Sequence, residues 1–361
     1  MRKGAPELNG GIIAVTSAVT VFSPLDQTLQ LGGNSWSPAT LAKAIQLGVE
    51  IASYERAARL FGEFTHLSMS KSSMQRLVTR YGTKVANQFE AEAEAMMKVP
   101  SKEEEVTWRT PPEPDSTHMN VSIDGVMVNL IDEGWKETKI TTISAVEPVI
   151  DDETGEISVQ LTRHSYRAGL WEAPAFANHL WVESWRRGLE KAKHLMSVND
   201  GAPWIWAVVF LCFARCTQIL DWWHAVQRLW AIANIAFADD ATAANAWVEA
   251  QKRLLAQSQL RQVIHNVRRL FPRTQPLPDP VRKAVVYYFH NRWRMVYGHF
   301  RAAGYPIGSG TVESACKLVV QQRMKQPGMR WRRANAQAML ALRSALFSDR
   351  WCLLHDALKA A

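Results

Sequence analysis

The spacing of apolar residues changes along the chain and divides it into helical and strand-forming parts. From Ser37 to about Met97 apolar residues recur at helical spacing, and Ser37 with the following proline forms a helix start signal. Between residues 118 and 168, three β-rich runs separated by turn sequences predict an antiparallel meander. A helix predicted over 173–193 then begins an alternation of helices with two short strand-like runs. This alternation predicts an α/β fold in which parallel strands join the meander to form a mixed sheet with flanking helices.

These changes in pattern divide the chain into four parts. Residues 1–22 are an atypical apolar segment, and 23–98 are helical. Residues 99–117 combine a short acidic run with four prolines, which cannot continue a helix and predict a linker. The remaining residues, 118–361, hold the predicted sheet, with an all-helical insertion at about 231–304.

The helical region contains a pattern typical of a helix-turn-helix. A short helix is followed by a turn near residues 66–70 and by a second helix that carries Lys71, Arg76 and Arg80. In a helix-turn-helix the second helix can enter the major groove of DNA, where such cations would read the sequence. A small helical bundle without DNA-reading function has the same pattern, so both interpretations stay open.

Composition indicates a folded protein with an anionic partner. Apolar residues make up 47% of the chain, and its net charge of +8 with a pI of about 9.4 suits nucleic acid. The four cysteines show no paired spacing typical of structural zinc and are expected to be reduced. The apolar run at 203–214 is shorter than the ~20 residues that span a bilayer. We therefore expect a cytoplasmic protein without a membrane segment.

Three acidic residues occupy positions that suit a metal site. Asp124 lies among apolar residues of the first predicted strand, Asp200 ends a later strand-like run, and Glu313 lies in the first turn of a predicted helix. Three carboxylates from separate elements could hold one or two magnesium ions beside a phosphate. Individually, Asp124 could begin a turn, Asp200 could cap the next helix, and Glu313 could simply suit the helix dipole.

The residues around Glu313 extend this hypothesis. Ser309 is a candidate cap of the helix, and the glycines on either side of it permit a tight turn. Cations that could neutralise phosphates follow the glutamate: Lys317, Arg323, Lys325, Arg330, Arg332 and Arg333. The alternative is a solvated charged face.

A second motif contains Asp221 and His224. Asp221 is a natural N-cap, and His224 could pack against the neighbouring tryptophans. The functional alternative is that His224 faces the same sheet edge as the acids and contacts a DNA strand.

The segments "SIDGVMV", "VNDGAPWIW", "ILDWWHAVQRLW" and "GYPIGSGTVESACKLVVQQRMKQPGMRW" together resemble the DDE transposases of bacterial insertion sequences, most closely the ISKra-type family. The resemblance covers roughly residues 23–351. It implies an RNase H-like catalytic domain in which Asp124, Asp200 and Glu313 form the DDE triad and bind two Mg²⁺ ions, for which Mn²⁺ can substitute. Asp221 and His224 match an accessory motif of the family.

The resemblance further implies cleavage at the ends of the element and strand transfer into target DNA, performed by a dimer or higher oligomer. Residues 1–22 depart from the family, which has paired cysteines in this region. The copy is therefore expected to be truncated or altered at its start. This leaves two alternatives, a decayed transposase that only binds DNA and a structure-selective nuclease.

Overall fold

The computed structural model describes residues 36–98, 110–150, 157–272 and 274–359. The atypical segment 1–22 and most of the predicted linker, residues 99–109, lie outside the described residues.

The described chain has an α/β architecture built on a five-stranded mixed sheet. The strands are β1 (His118–Leu130), β2 (Gly134–Ile150), β3 (Ile157–Gly169), β4 (His194–Asn199) and β5 (Thr217–Leu220). Their order across the sheet is β3-β2-β1-β4-β5. The first three strands pair antiparallel, whereas β4 and β5 join β1 in parallel. The meander and the two added parallel strands agree with the sequence prediction.

Helices flank this sheet and fill the interval between β5 and residue 310. They are α1 (Pro38–Glu50), α2 (Tyr54–Thr65), α3 (Lys71–Met97), α4 (Ala173–Arg186), α5 (Pro203–Cys212), α6 (Trp222–Ala236), α7 (Ala241–Ala256), α8 (Leu260–Arg269), α9 (Asp279–Asn291), α10 (Tyr297–Ala302), α11 (Gly310–Ala315), α12 (Gln322–Met324), α13 (Arg333–Phe347) and α14 (Cys352–Lys359). Short 3₁₀ turns occur at Leu189–Lys191 and Arg292–Arg294. None of the helices within the described ranges is long and apolar enough to cross a membrane.

The predicted helix over 173–193 ends earlier than expected. Gly188 has a φ of 65°, a left-handed conformation that stops the α-helix, and only a 3₁₀ turn follows. The prediction missed this stop because the residues beyond the glycine continue a helical pattern.

Strand β1 supplies apolar side chains to two separate cores. Met119, Val121 and Ile123 pack in a core with α4, α5, α6 and the helices before residue 304. Val126 and Val128 instead pack with α1, α3, α13 and the segment after Glu313. Because successive side chains of a strand point to opposite faces, the buried face of β1 changes at Asp124. The carboxylate of Asp124 therefore lies between the two cores and is only partly buried.

The helical N-terminal region shares the second of these cores with the sheet. Val49 of α1 and Val85 of α3 are fully buried in the cluster that also contains Val128 of β1 and Val319. The first three helices therefore pack directly against the sheet and the segment after Glu313.

Candidate functional site

Strands β1 and β4 bring the first two acids together. Their parallel pairing extends to the pair Val121 and Ser197, and Asp124 and Asp200 lie three residues further along the two strands. The backbone N–H of Ile123 donates to the Asn199 side-chain oxygen at 2.7 Å, so an amide side chain continues the connection where the backbone ladder stops. The two aspartates are therefore held at the same level of the sheet.

Asp200 occupies a tight turn between β4 and α5. Its Oδ1 accepts from the backbone N–H of Ala202 at 2.9 Å, and its carbonyl accepts from the Tyr287 hydroxyl at 2.7 Å. Gly201 has a φ of 91°, and a Cβ there would lie 2.8 Å from the Tyr287 oxygen. The N-cap of α5 is Ala202, so Asp200 is not itself the cap residue.

Asp124 is partly buried and accepts two hydrogen bonds. The backbone N–H of Gly125 donates to Oδ1 at 2.7 Å, and the Cys316 thiol donates to Oδ2 at 3.2 Å. Burial raises the pKa of Asp124, the two hydrogen bonds and His224 oppose the rise, and the charge of Asp200 adds to it. No Lys or Arg of the described ranges forms an ion pair with Asp124 or Asp200, so only His224 offsets their mutual repulsion.

Asp221 follows β5 and is fully buried. Its Oδ2 accepts from the backbone N–H of His224 at 2.9 Å and from His224 Nδ1 at 2.8 Å, while its Oδ1 accepts from the backbone N–H of Ser309 at 2.6 Å. These bonds engage both oxygens and lower the pKa of Asp221 despite its burial, which alone would raise it. Asp221 thus connects the start of α6 to the loop that leads into α11.

His224 lies beside the acids of this edge. A carboxylate accepts hydrogen bonds, so Nδ1 carries the proton shared with Asp221, and Nε2 makes no protein hydrogen bond among the described residues. The pKa of His224 is raised, first by its hydrogen bond to Asp221 and further by the charges of Asp200 and Glu313, against the effect of burial. His224 therefore lies near the acids of the sheet edge, and its contact with a DNA strand stays a prediction.

Glu313 lies in the first turn of α11 and is exposed. Ser309 is at the N-cap, but its side chain makes no capping hydrogen bond, which corrects the expected role of its hydroxyl. The loop is held by Asp221 and by the backbone bond from Trp222 N–H to the Ile307 carbonyl at 2.9 Å. A Cβ at Gly310 would meet nothing within 4 Å, so open space lies beside this turn.

The donor chemistry of this edge fits a divalent cation. Potential ligand atoms of Asp221, His224 and Glu313 all lie within 4.8 Å of one another. Since Asp221 is occupied by three hydrogen bonds, we consider it a positioning residue and regard Glu313 and His224 as the available members of that group. Hard cations prefer carboxylate oxygens, and among the described residues the group within this distance includes Glu313 of the predicted triad but neither Asp124 nor Asp200. We call Asp124, Asp200, Asp221 and Glu313 the acidic edge.

The cations after Glu313 differ in exposure. Lys317, Lys325 and Arg330 are exposed, and Lys325 lies over the Trp135 ring, with its Nζ 5.8 Å from the ring centroid. Arg333 pairs with Glu133 at 2.7 Å. Of the six predicted cations, Lys317, Lys325, Arg330 and Arg332 are thus exposed without an ion pair in the described part of the chain, Arg333 is exposed but paired, and Arg323 is buried.

Arg323 is 1% exposed and has a structural role that the sequence did not indicate. Its Nε and Nη1 each donate at 3.1 Å, to the carbonyls of Gly48 and Ala52 at the end of α1. Arg343 reinforces the same junction, because its guanidinium donates to the carbonyls of Val49 and of Val319. The chain between α11 and α12 forms a π-helix over Cys316–Gln321, and Arg343 satisfies carbonyls within it. The two arginines join α1 to the element that carries Glu313.

The predicted helix-turn-helix corresponds to α2, the turn at residues 66–70 and α3. Lys71, Arg76 and Arg80 are all exposed in the first half of α3, and Arg76 donates to the Ser73 hydroxyl at 3.2 Å. The opposite face of α3 packs against α13 within the second core. The cations therefore face away from the core, and their proposed reading of DNA stays a prediction.

Sequence reasoning missed Asn199 and Cys316 as parts of the site. Asn199 directly precedes Asp200, and its burial among strand residues could have suggested an inward polar contact. Cys316 lies three residues after Glu313, which places it about one helical turn further along and near the same strand. Neither residue type is by itself typical of such a site.

No protein-family model matches the chain, and no curated protein matches it.

Proposed function

We propose that the chain is a DDE transposase of insertion-sequence type whose catalytic domain has an RNase H-like fold. The observation that carries this proposal is the acidic edge, where two adjacent parallel strands and one helix each supply a carboxylate. The mixed sheet, with an antiparallel meander extended by two parallel strands, is compatible with that fold. The resemblance of the motifs around the same three acids provides independent support.

In this proposal Asp124, Asp200 and Glu313 hold the divalent cations. Mg²⁺, or Mn²⁺ in its place, would supply Lewis-acid stabilisation of a phosphodiester and an activated hydroxyl for its displacement. The partial burial of Asp124 and its bonds to Gly125 and Cys316 fix one carboxylate in place. Glu313 is exposed, so its carboxylate is accessible to a substrate, and no other atom of the described residues crowds the neighbouring Gly310.

Asp221 and His224 would orient the substrate. Asp221 fixes the imidazole through Nδ1, and the charges of Asp200 and Glu313 act on the same ring. The raised pKa of His224 favours a protonated ring, which can donate a hydrogen bond to a phosphate oxygen. Exposed Lys317 and Lys325 would contact phosphates further along the same strand.

The test incubates purified protein with a labelled duplex carrying the element end, in magnesium and in chelator, beside Glu313→Gln. Glu55→Gln is a matched control, since Glu55 is also an acid in the first turn of a helix but lies in α2. We expect magnesium-dependent cleavage in the wild type and the control, and none in Glu313→Gln.

Products of the same reaction separate the alternatives. Joining of the cleaved end to a second DNA supports a transposase, whereas cleavage without joining identifies a nuclease. Binding without cleavage in the wild type would contradict the proposal and favour a DNA-binding protein that has lost its chemistry.

A further inference from the structure

A cleft of about 440 Å³ lies where the N-terminal helices meet the segment after α12. Its walls include the beginnings of α2 and α3 on one side and residues 327–332 on the other. Its polar lining comprises Ser53, Lys71, Gln75, Arg330, Arg332 and Asn335, with Arg323 at its base. The cleft lies outside the acidic edge, and none of the four acids of that edge lines it.

The charge of this cleft is strongly one-sided. Four of the lining residues, Lys71, Arg323, Arg330 and Arg332, are cations, and no Asp or Glu is among the described lining residues. The side chains of Lys71, Arg330 and Arg332 are exposed and make no hydrogen bond or ion pair within the described ranges. These four positive charges repel one another, and an anion bound between them would offset the repulsion.

Arg323 contributes a buried positive charge at the base of the cleft. The residue is 1% exposed, its Nε and Nη1 bond carbonyls of the protein, and its Nη2 is buried without a hydrogen-bond partner. A buried guanidinium nitrogen without a partner is costly. Arg323 lines the cleft, so the charge of its guanidinium adds to the attraction of an anion there.

Three helices also direct their N-terminal ends to this place. Helix α2 begins at Tyr54 after the N-cap Ser53, α3 begins at Lys71, and α13 begins after the N-cap Arg332. Each of these helices has at least twelve residues, and the N-terminal end of a helix carries partial positive charge. Their dipoles add to the field of the four cations.

We propose that this cleft binds backbone phosphates of DNA, which clamps the strand between the N-terminal helices and the segment that follows α12. A base is a poor occupant, because the Trp331 ring is buried and the Tyr54 ring lies 4.4 Å from the guanidinium of Arg323. The cleft offers donors and positive charge, which match phosphodiester oxygens. The assignment of DNA as the source of the phosphates rests on the proposed function.

The experiment measures the affinity of the full chain for a labelled duplex in chelator, over a series of salt concentrations. A triple variant, Lys71→Ala, Arg330→Ala and Arg332→Ala, removes the exposed cations of the cleft. A control triple variant, Lys43→Ala, Arg253→Ala and Arg268→Ala, removes the same charge from exposed positions elsewhere. Thermal unfolding of all proteins establishes that each variant is folded.

We expect the cleft variant to bind at least about tenfold more weakly than the control variant at the same salt concentration. The slope of log affinity against log salt should also fall by about one for each lost phosphate contact. Equal affinities and equal slopes of the two triple variants would overturn the proposal.

A second arm distinguishes DNA from a free phosphate. Inorganic phosphate and pyrophosphate are added to the wild type and the cleft variant, and the unfolding temperature is recorded. Stabilisation that is lost in the cleft variant, together with unchanged DNA binding, would overturn the DNA assignment. Because binding is measured in chelator, the result is independent of whether the acidic edge cleaves DNA, so failure of one proposal does not imply failure of the other.

Discussion

Two groups of ionised side chains in this molecule have opposite arrangements. At the acidic edge, Asp124 and Asp200 lie close together without a Lys or Arg partner among the described residues. Against β3, Glu183 pairs with Arg350 at 2.5 Å, and Arg167 pairs with Glu92 at 3.3 Å. We call these four residues, with Arg186, which also pairs with Glu92, the buried ion network.

The difference separates charges that serve stability from charges that are available to a ligand. In the buried ion network, burial alone would raise the pKa of Glu183, but Arg350 and Arg167 outweigh it and lower the pKa to about 2. At the acidic edge, burial and the charge of Asp200 instead raise the pKa of Asp124. A bound cation would lower the pKa of Asp124 again, whereas the low pKa of Glu183 requires no ligand.

The largest effect is expected on cleavage when an acid of the edge is removed. Asp124→Asn or Glu313→Gln should lower the single-turnover cleavage rate at least about a thousandfold, equivalent to ~4 kcal/mol, because a ligand of the cation is lost. Stability should stay the same or rise, since a repelling charge is removed. Retained cleavage would show that these acids are not needed for the reaction. Unfolding of the variants would show that the acids stabilise the fold, as the buried ion network does.

The converse is expected for the buried ion network. Glu183→Gln leaves Arg350 without its ion-pair partner, removes one of the two anions beside Arg167, and should reduce the free energy of unfolding by about 3–5 kcal/mol. Denaturant titration measures this loss. Glu147→Gln, which disrupts the more exposed pair with Arg163 at 2.7 Å, is the control and should cost less than about 1 kcal/mol. Similar losses in both variants would argue against the importance of burial.

The buried ion network should also make stability depend on pH. The pKa of Glu183 is about 2 in the folded protein, below its ordinary value of 4.5, so its contribution is present above pH ~4.5 and is lost as the pH falls toward 2. This loss amounts to on the order of 3 kcal/mol. His179, whose burial lowers its pKa to about 4, acts in the same direction between pH ~6.5 and 4. Unfolding measured from pH 7 to 3 should be less pH-dependent in Glu183→Gln, and parallel curves would contradict this.

A smaller effect tests how the acidic edge is positioned. Asn199→Ala removes the acceptor of the Ile123 N–H and the donor to the Ser197 hydroxyl, which lies 2.8 Å away. The buried N–H left unpaired should cost about 1–3 kcal/mol of stability. Cleavage should fall as well, because Asp124 and Asp200 lose the bond that aligns their strands. A stability loss with full cleavage would show that the alignment does not depend on Asn199.

The sequence indicated the sheet and the acids for reasons that are local. Alternating apolar residues define β1, and a carboxylate among them is unusual enough to draw attention to Asp124. Asp200 lies close to Asp124 because β1 and β4 pair in parallel. The sequence predicts parallel pairing because a helix lies between the strands.

The structural arginines could not be predicted in the same way. Arg323 lies in a run of cations that resembles a solvated face, yet it is buried by contacts with Gly48 and Ala52, more than 270 residues away in the chain. The bond from Ser309 to Asp221 also spans 88 residues. Such contacts depend on how the helices pack, and single-sequence patterns do not contain that information.

Cation binding at the acidic edge is tested most directly by a calorimetric titration with Mn²⁺. The titration compares the wild type, Asp124→Asn, Glu313→Gln and the control Glu55→Gln. We expect saturable binding in the wild type and the control, and at least about tenfold weaker binding in the two variants of the acidic edge. Equal Mn²⁺ affinity in all four proteins, or no binding in the wild type, would contradict the claim that these acids gather to hold a cation.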